Sequence, residues 1–142
     1  MGVYDNSAWE FDESHWPVLI IRPKPVEMTL EQLDAALEHY DAVLERRRAS
    51  YAVVFDHRDV KHLSAAHRTR IAEYNKRHEA RARAYCRGSA FVIHSPIVRG
   101  MMTAILWIKK PPAETRVFED FAEAKTWAGE QVREHQKLHS TG

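Results

Sequence analysis

Tyr51-Ala52-Val53-Val54-Phe55 runs straight into Asp56-His57-Arg58-Asp59. Five apolar residues in an unbroken row, rather than alternating with polar ones, suit a strand covered on both faces, the mark of a central strand in a parallel sheet. The polar stretch 56–63 reads as a loop, and Ser64 is a suitable N-cap for a second helix running to about residue 82. Strand, loop and helix in that order are the repeating unit of an α/β fold.

The same grammar extends in both directions. Upstream, residues 8–12 and 18–22 read as a hairpin whose connection, 13–17, carries Ser14 and Pro17. Pro23 and Pro25 stop the second strand. Thr29 and Gln32 then form a capping box, with Met28 and Leu33 as a hydrophobic staple. In the first helix Leu30, Leu33, Leu37, Tyr40 and Leu44 share one stripe, Glu31, Glu38 and Glu45 point elsewhere, and Arg46, Arg47 and Arg48 complement the C-terminal dipole. Downstream, residues 89–93 repeat the buried-strand pattern. Ser95-Pro96 opens a third helix to about residue 108, ended by Pro111-Pro112. A short strand at 116–118 precedes Asp120 and Glu123, a capping pair, and a last helix carrying Phe121, Ala124, Trp127 and Ala128. The tail from residue 135 is expected to fray.

The predicted order, β-β-α-β-α-β-α-β-α, implies a single mixed, mainly parallel sheet with helices packed against it. With 142 residues, 44% hydrophobic and 29% charged, one domain over 1–142 with an ordered core at about 7–134 is expected. Twenty-one basic residues balance twenty acidic ones, a net charge of +1. No nucleic-acid partner is expected from that balance or from any helix-turn-helix, RRM or zinc-finger signature. The lone cysteine, Cys86, excludes an internal disulfide, and residues 1–6 lack the regions of a signal peptide, so a cytoplasmic setting is expected. The most apolar stretch, 97–108, contains Arg99 and is shorter than the roughly 20 residues of a transmembrane helix.

Three segments together resemble the STAS superfamily, in particular its SpoIIAA-like, STAS/SEC14-type branch of small bacterial proteins. They are Val53-Val54-Phe55-Asp56-His57-Arg58-Asp59-Val60 with Leu63-Ser64, the third helix with Arg99-Gly100, and the ending from Arg116 to Ala128 with its Val117-Phe118 and Glu123-Ala124-x-x-Trp127 pattern. The resemblance implies a mixed sheet and a role in protein-protein regulation or apolar-ligand binding. Anti-sigma-factor antagonists of the superfamily carry a phosphorylatable serine where the loop enters the second helix. Here that stretch reads Ser64-Ala65-Ala66-His67-Arg68, so the matching serines are alanines and Ser64 falls one or two residues early. Phosphate on Ser64 would be favoured by the helix N-terminus and Arg68, but an N-cap role alone explains the residue.

Several clusters invite chemistry. His57, His62 and His67 recur at intervals of five near Asp56 and Asp59, a spacing that matches no standard metal signature, and no metal is expected. His67, Ile71, Tyr74 and His78 share one face of the second helix, and packing is the favoured role for both histidines. Arg70, Arg77 and Arg81 lie nearly in line; with Arg99 they are candidate anion-binding residues, against the simpler reading of a solvated helix face. In the third helix Ile97, Met101, Ile105 and Ile108 can face the sheet, leaving Val98, Met102, Leu106 and Trp107 as an excess stripe. A homodimer interface, the wall of an apolar pocket and a helix wedged under the loop 109–114 all fit that stripe. With five glycines, no P-loop, no Gly-x-Ser-x-Gly elbow and no Cys-His arrangement, no catalytic residue and no cofactor are expected, although Asp56, His57 and His94 all fall at strand ends.

The expected function is therefore a non-catalytic regulatory or scaffolding domain, self-associating as a dimer through the third helix and meeting a regulatory protein partner. The alternative is a carrier or sensor of a small amphipathic or anionic ligand, a lipid or a nucleotide.

Overall fold

The computed structural model describes residues 3–5, 8–24, 27–58, 64–108 and 111–139. In chain order they form β1 (Val3–Asp5), β2 (Trp9–Asp12), β3 (Val18–Pro23), α1 (Leu30–Arg47), β4 (Tyr51–Asp56), α2 (Ala65–Arg77), α3 (Glu79–Tyr85), β5 (Cys86–Val92), α4 (Pro96–Ile108), β6 (Thr115–Phe118) and α5 (Phe121–His139). One sheet holds the six strands in sequence order. The pairs β1–β2 and β2–β3 are antiparallel, and β3 to β6 run parallel. The mixed, mainly parallel sheet expected from the unbroken apolar run is present, with β4 between β3 and β5.

Pleating sends alternate side chains to opposite faces. Leu19, Ile21, Tyr51 and Val53 join Leu33, Val43 and Leu44 of α1 on one side. Val18, Ile20, Ala52, Val54, Ala90 and Val92 meet Ala124, Trp127, Ala128 and Val132 of α5 on the other.

The helix starts follow the expected chemistry. Thr29 Oγ1 accepts the Gln32 N–H at 3.0 Å while Gln32 Oε1 accepts the Thr29 N–H at 2.9 Å, a complete capping box. Ser64 caps α2 by accepting the His67 N–H at 3.2 Å, and Ser95 caps α4 through the Val98 N–H at 3.3 Å. At the other end of α1, Arg48 adopts the left-handed region at φ 42° and ψ 51°, ending the helix where a glycine would be usual.

Four features differ from the sequence expectation. A three-residue strand, β1, extends the hairpin into a meander. The second helix breaks at His78 into α2 and α3. No glycine or proline lies between residues 65 and 85 to announce that break; the turn instead lets Arg81 fold onto α1. The final helix continues through His139, past the expected fraying point. Lastly, α4 does not lay Ile97 and Met101 on the sheet: they are 77% and 60% exposed. The ion pair of Arg99 with Glu119, just past β6, holds α4 at the sheet edge instead.

Candidate functional site

On the α1 side the helices do not close onto the sheet. A cavity of about 890 Å³ lies between them, floored by Phe11, Ile21, Tyr51, Phe55 and Phe91, walled by Leu37 and Tyr40 of α1 and Ile71 of α2, and rimmed by Met102 and Leu106 of α4. Its size falls within the range of small-molecule pockets, roughly 300–1,000 Å³. The helices around it hold each other at a peripheral polar seam. Arg70 of α2 donates to Asp34 Oδ2 at 2.6 Å, and Arg81 of α3 donates to Asp41 at 2.6 Å, Glu45 at 2.9 Å and the Tyr74 hydroxyl at 2.9 Å. The α1–α2–α3 layer is thereby clasped from outside, and the space beneath it need not collapse.

The aromatic floor of the cavity is uncharged, although its lining also includes Lys24, Glu27, Lys76, Glu79 and Arg81. Burial, foremost, raises the Tyr40 and Tyr51 phenols well above their usual range and raises the Cys86 thiol, while the Tyr74 phenol is pushed up to about 12. The two phenols of Tyr40 and Tyr51 also hydrogen-bond each other. His57, just past the end of β4, lies edge-on to the stacked pair Phe55 and Phe91, with ring centroids at 5.9 and 5.7 Å. Burial pushes its imidazole down to about 4, so it is neutral at physiological pH. Its Nε2 is buried and has no hydrogen-bond partner among the described residues. Leaving such an atom unpaired costs about 1–3 kcal/mol.

Neighbouring Asp56 turns to the opposite face and serves a different end. Arg58 grips both its oxygens, at 2.7 and 2.6 Å, and Arg22 adds a bond at 3.1 Å while also holding Glu10 at 2.8 Å. Burial alone would raise the Asp56 pKa, but the hydrogen bonds and charge of Arg58, aided by Arg22, hold the carboxyl below its usual value. Both guanidinium groups lie over the Phe121 ring, at 4.8 and 5.3 Å, tying this network to the start of α5.

The remaining candidates scatter. Asp56 and His57 occupy opposite faces and His94 is exposed, so no common site joins them. His67 Nε2 donates to the Met28 carbonyl at 2.7 Å. Its Nδ1 is then the acceptor for the Ser64 hydroxyl, so both ring nitrogens are engaged in fastening α2 to the start of α1. His62 and Asp59 lie outside the described residues. His78 faces Asp41 at 3.6 Å and rests on Tyr74, completing a face that packs toward α1. Ser64 is half-buried, with its oxygen engaged as cap and as partner of His67.

The four arginines do not converge. Arg70 and Arg81 belong to the seam with α1, Arg99 to the ion pair with Glu119, and Arg77 is exposed. Within the proposed α4 stripe, Met102 and Leu106 turn to the cavity while Val98 and Trp107 face outward, Trp107 at 87% exposure. Sequence reasoning passed over the cavity aromatics, Trp9, Tyr51 and Phe91 among them. The parity of β4, which sends Tyr51, Val53 and Phe55 one way and Ala52, Val54 and Asp56 the other, was the available signal.

A solved structure of an uncharacterized protein from the DUF3478 family of Shewanella loihica PV-4, described as having a SpoIIAA-like fold, aligns with a TM-score of 0.63 and 14% sequence identity over 89% of this chain and 90% of that one. The fold is thus SpoIIAA-like, and at that identity the likeness concerns the fold alone. No curated protein matches the chain. Residues 18–131, from the start of β3 into α5, match the model of a domain of unknown function, DUF7793, and the chain belongs to that family.

Proposed function

We propose that this chain is a non-catalytic binding domain that holds a small amphipathic molecule in the cavity between the sheet and the helices α1 to α4. The observation that carries the reading is the cavity itself, about 890 Å³ in extent and lined chiefly by aromatic and aliphatic side chains. A space of that size in a core of this kind forfeits dispersion contacts and is maintained by the polar seam around it, an arrangement that a bound apolar body would complete. Met102 and Leu106 at its rim make α4 the natural cover. Ligand-carrying thereby replaces scaffolding as the leading reading, and catalysis is not part of it.

A second reading rests on a different observation. Ile97, Met101 and Trp107 present an exposed apolar face on α4, which suits self-association or a regulatory protein partner. Native mass spectrometry of protein purified from cells tests the first reading, with light scattering of the same sample testing the second. Extra mass of a few hundred daltons, released on denaturation, is expected. A clean apo mass together with no thermal shift on adding long-chain alcohols, fatty acids or nucleotides would end the ligand reading.

A further inference from the structure

We propose that His57 is the polar anchor of this cavity and that the ligand is an uncharged amphipathic molecule, a hydrocarbon body bearing a hydroxyl-class headgroup. This rests on the ligand-binding reading above and adds the chemistry of the occupant.

Several polar groups of the cavity wall are already partnered. Tyr40 and Tyr51 hydrogen-bond each other, Tyr74 is engaged by Arg81, and His67 is fixed between Ser64 and Met28. Cys86 Sγ faces the Gly88 carbonyl at 3.6 Å. His57 Nε2 is buried without a partner among the described residues. Its ring borders the cavity at the carboxyl end of β4, the edge at which open α/β sheets bind ligands. A buried nitrogen without a partner among the described residues, set beside the aromatic floor of the chamber, suits a ligand that brings a hydrogen-bonding group.

The class of headgroup follows from the surroundings. An ionised headgroup beside His57 would need a counter-charge: the guanidinium groups of Arg22 and Arg58 are held by Asp56 on the other face of the sheet, and among the cations on the cavity lining Arg81 is held by Asp41 and Glu45, Lys24 is held by Asp5, and Lys76 is exposed on α2. The imidazole itself is edge-on to Phe55 and Phe91, an environment that favours its neutral form. A hydroxyl both donates and accepts, so it satisfies Nε2 in either tautomer and brings no charge into the apolar bed.

The test compares wild-type protein with His57→Phe, which keeps an aromatic ring in the site and removes the nitrogen. 1-Octanol, octane and octanoate each compete at pH 7 with N-phenyl-1-naphthylamine, a neutral fluorescent occupant of apolar cavities. Octanol affinity is expected to fall about tenfold in the variant, the worth of one net hydrogen bond, while octane changes less than about twofold. Octanoate should bind the wild type more weakly than octanol. In wild-type protein alone, independent of how the variant folds, octanol should shift the His57 Nε2 nitrogen resonance and octane should not. Equal losses for octanol and octane, or a resonance indifferent to octanol, would overturn the anchor and leave the cavity reading standing. Tighter binding of octanoate would overturn the uncharged class. Failure of both the probe and octanol to bind wild-type protein would instead bring down the cavity reading and this inference with it.

Discussion

The two faces of the sheet are built to different standards. On the α5 face, Ala124 and Ala128 are fully buried and the helix lies so close to β5 that a Cβ on Gly88 would come within 3.1 Å of both Gln131 Cγ and Trp127 Cη2. Small residues allow that approach, and the contact is tight. On the opposite face the side chains are large, Trp9, Phe11, Tyr40, Tyr51 and Phe55 among them, yet they surround open space. Close packing gives one face its stability, while aromatic spacing gives the other its capacity. The chain thus separates the part that holds the fold from the part that can change its contents.

Two adjacent residues carry this contrast into pH dependence. His57 on the cavity side is lowered from 6.5 to about 4 because burial disfavours its charged form. The unfolded chain therefore takes up the proton first, and stability falls as pH drops below 6.5, levelling near 4, by about 3 kcal/mol in all. Asp56 on the other face is lowered from 3.8 because its arginines outweigh burial. Its contribution is complete above 3.8 and is lost only as pH falls through the lowered value. In urea unfolding between pH 7 and pH 4 the wild type should lose about that much more stability than His57→Phe, because the contribution of His39, also lowered by burial, is common to both. Parallel pH curves for the two proteins would mean that the cavity side is wet and polar around His57.

Matched substitutions sharpen the comparison at the level of packing. Ala128→Leu adds three heavy atoms where α5 meets β4 and β5, and a destabilisation of about 1–3 kcal/mol is expected. Ala36→Leu adds the same atoms beside the cavity, into which they can extend. It should change stability by less than about 1 kcal/mol and reduce uptake of the fluorescent probe. Chemical denaturation of both variants decides the matter, because equal destabilisation would mean that the two faces are equally full.

The sequence made the sheet legible and the cavity largely illegible, for the same physical reason. Apolar periodicity reports that a residue is covered, which sufficed to place β4 between parallel neighbours and α1 with Leu33 and Leu44 inward. It does not report how far away the cover stands. Leu37 and Tyr40 read as core residues like Leu33, although they border open space. Arg70 and Arg81 read as a solvated helix face or a candidate anion-binding ridge because their partners, Asp34, Asp41 and Glu45, lie more than thirty residues earlier, on the flank of another helix. The capping serine and threonine have their partners three residues away, within the span of a local sequence pattern.

α4 lies at the sheet edge, with Met102 and Leu106 at the cavity rim and its outer side chains in solvent, and it offers the gentlest test. Its sequence is apolar around the cylinder, and among its described side chains none is fully buried. Met101 and Trp107 point into solvent at 60% and 87% exposure, so replacing both with serine removes little that the folded monomer has gained. A change in unfolding free energy within about 0.5 kcal/mol is expected. Sedimentation of the double variant then separates the two uses of the helix: a dimer that dissociates assigns the outer face to self-association, whereas an unchanged sedimentation coefficient removes that assignment. A large loss of monomer stability would show that α4 packs against the body more closely than its exposure allows, and would return it to the core.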